Sequence, residues 1–179
     1  MKGRQAELNV REIGIYTGAG TSHSWLWFVE LLEKMDVNSL IFVNEQDLQC
    51  EKGLDGIDAF LLSGGDTFAI AEGMGERGAK NLERFIFSGG LYFGSCAGAY
   101  LPLNSTTNPL NLLNLARVRI SNLIKSRPPS LVDSEKFCTP YGCRYVYHPV
   151  RDEVRIVRED GASTGAAEIT APLYGGPCM

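Results

Sequence analysis

The stretch Leu91-Tyr-Phe-Gly-Ser-Cys96-Ala-Gly-Ala-Tyr-Leu101 constrains the fold of this chain more than any other segment. A short apolar run leads straight into Gly94-Ser-Cys96-Ala-Gly98, and helix-compatible residues follow. This G-x-C-x-G order fits a tight turn between a strand and a helix, where flanking glycines let the backbone bend without a Cβ clash. A turn of that kind lifts its central side chain above the carboxyl end of a parallel strand, the edge at which α/β sheets carry functional loops. Here that side chain is the thiol of Cys96, which makes it the candidate nucleophile. A helix N-terminus favours an anionic sulfur, so the sequence predicts a thiol more reactive than an ordinary one. The alternative is a small buried cysteine among glycines that serve strand-helix packing alone.

Composition sets the limits within which that turn must sit. A chain of 179 residues, 44% hydrophobic and 21% charged, suits one domain with a substantial core. Its net charge of −4 comes without a Lys/Arg stripe, which argues against a nucleic-acid partner and leaves small molecules or other proteins. The first eight residues carry charge with no apolar run behind them, and no segment approaches bilayer length. No membrane partner and a cytoplasmic location are the expectations. The five cysteines, at 50, 96, 138, 143 and 178, form no C-x-x-C pair, and two histidines are too few to complete an obvious zinc site. Neither a metal nor another cofactor is expected, although Cys138 and Cys143 are near enough in sequence to meet in a turn.

Along the chain, Glu12–Thr17 reads as a strand that ends at Gly18-Ala-Gly20-Thr-Ser22, and Trp25, Phe28, Val29, Leu31 and Leu32 then recur at helical spacing. Ser39–Val43 and Asp58–Leu62 are further strands. The second of these breaks at Ser63-Gly-Gly-Asp66, with Asp66 placed to cap a helix that glycines 73, 75 and 78 divide. Continuous apolar strands alternating with helices indicate a parallel sheet covered on both faces. Gly64, Gly65 and Cys96 then share its carboxyl edge. After Arg127-Pro-Pro-Ser130 the pattern changes: Tyr145 and Tyr147, then Val154 and Ile156 beyond Arg151-Asp152, alternate as in an antiparallel hairpin. A last strand is expected over Glu168–Tyr174.

Acyl transfer at a thiol requires an activated nucleophile, donors for the developing oxyanion, and a base that returns its proton to the leaving group. Cys96 supplies the first. The Ala97 amide is one donor, and the Gly64 or Gly65 amide is the second, because a backbone without side chains can approach the oxyanion closely. His148 is the candidate base, with a strand or hairpin role as the alternative. His23, just after the first strand, is a second imidazole on the same edge, and Tyr100 is expected to pack on a neighbouring loop.

Ile15-Tyr-Thr-Gly-Ala-Gly20-Thr, Leu62-Ser-Gly-Gly-Asp66, Gly89–Tyr100 and Leu173-Tyr-Gly-Gly-Pro177 together resemble the class I glutamine amidotransferase-like superfamily. Within it, the chain is similar to the biotin-protein ligase N-terminal-like family. The resemblance implies an α/β, flavodoxin-like three-layer sandwich with a mainly parallel sheet and a late antiparallel hairpin, with Cys96 at the nucleophile position. It further implies an amidotransferase- or amidase-like domain acting on a small amide or amino-acid-like substrate, with a synthetase or ligase as partner. A non-catalytic binding or regulatory module on the same scaffold, and a redox-responsive cysteine protein, are the alternatives. The triad is where the chain departs from the pattern. Glutaminases of the superfamily carry a His-Pro-Glu-like motif, whereas His148-Pro149-Val150 lacks the carboxylate and Asp152 and Glu153 only follow nearby. Tyr174-Gly-Gly-Pro177 also comes after His148, where the family's equivalent strand precedes its His-Pro strand. The expectation is therefore a single domain over 1–179 that lacks its C-terminal strand or strands.

Overall fold

The computed structural model describes residues 10–120 throughout, and beyond them the backbone of four strands, Ser134–Thr139, Gly142–Tyr147, Glu153–Arg158 and Ile169–Pro172. The first half alternates strand and helix: β1 Ile13–Tyr16, α1 Trp25–Lys34, β2 Leu40–Val43, α2 Glu45–Gln49, β3 Ala59–Leu62, α3 Thr67–Phe87, β4 Leu91–Gly94 and α4 Ala97–Tyr100. Strands β1 to β4 form one parallel sheet in the order β2-β1-β3-β4. The two central strands are buried at every position, as their unbroken apolar sequences require of strands covered on both faces.

Alternation of side chains along each strand sorts the core into two layers. Ile13, Ile15, Ala59 and Leu61 face Val29 and Leu32 of α1. Tyr16, Phe60 and Leu62 face the other way, onto Ile70, Met74, Leu82 and Phe85 of α3. These are the three layers expected of a flavodoxin-like α/β sandwich.

Local signals explain the helices. The Asp66 carboxylate caps α3 by accepting from the amides of Phe68 at 2.9 Å and Ala69 at 3.1 Å, worth about 1 kcal/mol. The helix breaks at Gly75, where φ is 60°, so the glycine cluster divides it as the sequence predicts. Helix α2 escapes a periodicity reading because it has only five residues. Its signal is the Asn44-x-x-Asp47 pair, which closes a reciprocal capping box.

The late strands differ from expectation in their partners. Val118–Ile120 is β5, and the four strands beyond residue 120 are β6 to β9 in chain order. The sequence predicts that Tyr145 and Tyr147 pair with Val154 and Ile156; instead β7 pairs antiparallel with β6, while β8 lies between β5 and β9. Period-two alternation tells which face a side chain takes but not which strand lies alongside. The register of β6 on β7 sets Cys138 opposite Cys143. The turn expected at Arg151-Asp152 lies outside the described residues.

Two predictions follow from the packing of β4 and α4 onto β3. A methyl group on Gly98 would press into the carbonyl oxygen of Leu62, which is backbone and cannot swing away. Gly98→Ala is expected to cost about 3 kcal/mol, whereas Gly56→Ala, at a positive φ but facing open space, should cost about 1 kcal/mol. Urea unfolding midpoints of the two variants check this. The second prediction concerns alkaline pH. Burial, and then the charge of Glu45, push the Tyr16 phenol up to about 12, and burial also pushes the Tyr92 phenol up. Both groups are held neutral in the fold, so their contribution is complete below the unfolded tyrosine value near 10 and falls as pH rises from there through 12. Urea midpoints should drop between pH 9 and 12, and Tyr92→Phe should flatten that drop.

Candidate active site

The sheet order reverses between β1 and β3, because the connections from those two strands leave in opposite directions, and α/β sheets open a crevice at such a point. Three loops meet there: residues 17–24 after β1, Ser63–Asp66 after β3, and Ser95-Cys96 after β4. The first two are clasped by backbone hydrogen bonds, from Ser22 N–H to Gly64 O and from Asp66 N–H to Gly20 O, each 2.9 Å. The β1 loop is also anchored from behind. The Glu45 carboxylate accepts from the Ala19 amide at 2.9 Å, and that bond, followed by one from its own amide, holds Glu45 below the usual carboxylate range.

Cys96 occupies the turn between β4 and α4 with φ 54° and ψ −116°, a conformation that costs a non-glycine residue on the order of 1–3 kcal/mol. The surroundings hold it there. Ser95 N–H bonds Leu62 O at 2.9 Å, Gly98 N–H bonds Ser63 O at 3.2 Å, and the Tyr92 hydroxyl donates to Gly98 O at 2.6 Å. The sulfur lies against the β3 loop so closely that a Cβ on Gly64 would be 3.3 Å from it.

Two opposing effects act on the thiol. Burial pushes it up, while the amides of Ala97 and Gly65, donating to sulfur, pull it down, and burial wins. This corrects the expectation of an unusually acidic thiol. Helix α4 is a single turn of four residues, so its aligned dipoles are few and do not offset the lost hydration.

The Ala97 and Gly65 amides both reach the sulfur, whereas the Gly64 amide is occupied, donating to Ser24 Oγ at 3.1 Å. His23 is exposed at the start of α1, in the β1 loop. His148 lies outside the described residues. Tyr100 and Cys96 sense each other: burial first, and the charge of Cys96 second, push the Tyr100 phenol up. Trp25 and Phe28 serve as packing residues, edge-on to Phe42 and Phe93 at 5.7 Å each. A separate cleft of about 520 Å³, lined by residues that include Leu54, Asp58, Phe85 and Leu91, opens at the amino edge of the sheet, away from Cys96.

Comparison with known proteins places these observations in a lineage. Residues 11–107, which contain all three loops, match the family model described as biotin-protein ligase, N terminal. A solved structure described as the crystal structure of a glutamine amidotransferase superposes with a TM-score of 0.50, at 18% identity, over 84% of this chain and 75% of its own. That likeness is one of fold. No match was found among curated proteins.

Reactivity of the thiol is measurable directly. Because burial raises Cys96, its labelling by iodoacetamide should climb with pH and show a midpoint above the ordinary thiol value near 8.5. At pH 7 the exposed Cys50 should label at least as fast. Peptide mapping by mass spectrometry over pH 6–10 checks both; a Cys96 that labels first, with a midpoint below 8.5, would contradict the balance of burial over amides.

Proposed function

Because this chain belongs to the biotin-protein ligase N-terminal family, we propose that it is an amidotransferase- or amidase-like domain in which Cys96 attacks a small amide or amino-acid-like substrate. The observation that carries this reading is the strained backbone of Cys96 together with two amides converging on its sulfur. A residue is held in such a conformation when the surrounding structure over-determines it, and strain of this kind clusters at working sites. The turn is a nucleophile elbow, and the Gly65 and Ala97 amides are its oxyanion hole.

The chemistry then runs as follows. A base takes the proton of the Cys96 thiol, sulfur adds to the amide carbon, and the Gly65 and Ala97 amides receive the oxyanion. The C–N bond breaks as the base returns the proton to the departing nitrogen, leaving a thioester that water or an acceptor amine resolves. Since burial keeps the thiol protonated near neutral pH, this sequence depends on the base. His148 is the imidazole we assign to it, and a synthetase or ligase would be the partner that consumes the released ammonia.

The raised thiol also favours a second reading, a non-catalytic binding or regulatory module on the same scaffold, because sulfur that stays protonated is a poor nucleophile. Among the described residues no helix is long and apolar enough to cross a membrane. Ammonia release from glutamine, asparagine and simple primary amides separates the readings. The enzyme reading expects turnover that falls about 10³-fold or more in Cys96→Ala and about 10²-fold or more in His148→Ala, with His23→Ala near wild type. Absence of Cys96-dependent turnover on every amide would select the module.

A further inference from the structure

The Gly65 amide can serve at the sulfur only if its peptide plane is fixed, and the hydrogen bonds around Gly64 show what fixes it. In a trans peptide the C=O and the following N–H point in opposite directions, so whatever holds the Gly64 carbonyl also aims the Gly65 N–H. Ser22 holds that carbonyl twice, from its amide at 2.9 Å and from its hydroxyl at 3.1 Å. The preceding plane is held as well, since Ser63 O accepts from Gly98 N–H at 3.2 Å and Gly64 N–H donates to Ser24 Oγ at 3.1 Å.

The two hydroxyls are joined, with Ser22 Oγ and Ser24 Oγ 2.7 Å apart. Proton accounting gives the direction. A hydroxyl has one proton, and that of Ser22 goes to Gly64 O, so the bond between the serines uses the proton of Ser24. The result is a closed circuit: Gly64 N–H to Ser24 Oγ, Ser24 O–H to Ser22 Oγ, and Ser22 O–H to Gly64 C=O. Each member is both donor and acceptor, so no member can rotate without breaking two bonds. We infer that Ser22 and Ser24 form a clamp that positions the Gly65 amide on the Cys96 sulfur, making the two serines positioning residues of the site. This rests on the proposed role of Cys96 and of the Gly65 and Ala97 amides.

Ser22 is exposed and Ser24 half-buried, so removing either hydroxyl takes little from the core. The effect should appear instead at the sulfur. The experiment uses the full chain with Ser22→Ala, Ser24→Ala, the double variant, Ser22→Thr and Cys96→Ala. Two readouts are followed: the pH midpoint of Cys96 alkylation by iodoacetamide, and Cys96 acylation by p-nitrophenyl acetate, which needs no knowledge of the natural substrate.

The clamp predicts that Ser22→Ala shifts the alkylation midpoint upward by about half a unit, because a loosened Gly65 amide stabilises the thiolate less. Acylation should slow about tenfold at unchanged thermal midpoint, through the rate constant rather than through half-saturation, as expected when an oxyanion donor is misaligned. Ser24→Ala should do the same, the double variant should be no worse than either single one since both break one circuit, and Ser22→Thr should restore both readouts. An unchanged alkylation midpoint and acylation rate in folded Ser22→Ala and Ser24→Ala would overturn the clamp. Acylation that survives Cys96→Ala would instead remove the underlying reading of the site, and the alkylation midpoints would still report on the clamp.

Discussion

The Cys96 turn rests on the end of β3 by backbone contact, and the geometry of the whole carboxyl edge depends on that contact. Leu62 O and Ser63 O accept from the amides of Ser95 and Gly98, so the last residues of β3 and the turn after β4 are stitched across a gap that only glycine fits. A buried carbonyl that loses such a partner costs about 1–3 kcal/mol. The several bonds here are comparable in size to the strain at Cys96, which explains how a positive φ persists at a residue with a side chain. The same glycine spacing that admits the turn also places Gly64 against the sulfur.

Closeness has an opposite consequence for the thiol. Packing the sulfur against the β3 loop removes water from it, which favours the neutral form, and brings two amides onto it, which favours the anion. An oxyanion has more charge to solvate than a thiol at rest, so in the acyl transfer we propose the amides that only partly offset desolvation at rest would act more fully on a substrate oxygen. A buried thiol with preorganised amides is therefore coherent with acyl transfer, provided that a base is at hand. It is poorly suited to spontaneous oxidation, which follows thiolate character and exposure.

Much of this was legible in the chain. The four parallel strands, the break of α3 at its glycine cluster, the cap at Asp66 and the placement of Gly64, Gly65 and Cys96 on one edge follow from apolar runs and glycine positions. Strand partners after residue 120 did not follow, because alternation around Tyr145 and Val154 encodes a face and not a neighbour. Nor could sequence decide between the Gly64 and Gly65 amides. The partner of the Gly64 amide is the hydroxyl of Ser24, forty positions away in the chain, and no local pattern announces that contact. The acidity of the thiol failed for a related reason: a helix N-terminus is visible in sequence, but the length of α4 and the burial around it are not.

The edge position of β4 among the four parallel strands explains why backbone contacts matter so much at this site. Tyr92 stacks on Phe60, with ring centroids 6.4 Å apart, and anchors one face of the strand. On the other face, Leu91 and Phe93 remain 42% and 57% exposed, and Phe28 meets the ring of Phe93 only edge-on. Side-chain packing thus fixes β4 from one side, whereas β1 and β3 are buried on both. A strand held this way could slide or tilt by fractions of an ångström if packing were its sole restraint. The register with β3, Ala59 opposite Leu91 through Leu62 opposite Gly94, and the bond from Ser95 to Leu62 that continues it, remove that freedom at the end where Cys96 begins. Precision at the sulfur is inherited from the hydrogen-bond ladder of β3, and so is its placement beside Gly65, because the Gly65 loop starts from the end of β3 and the Cys96 turn after β4 is bonded to that same end.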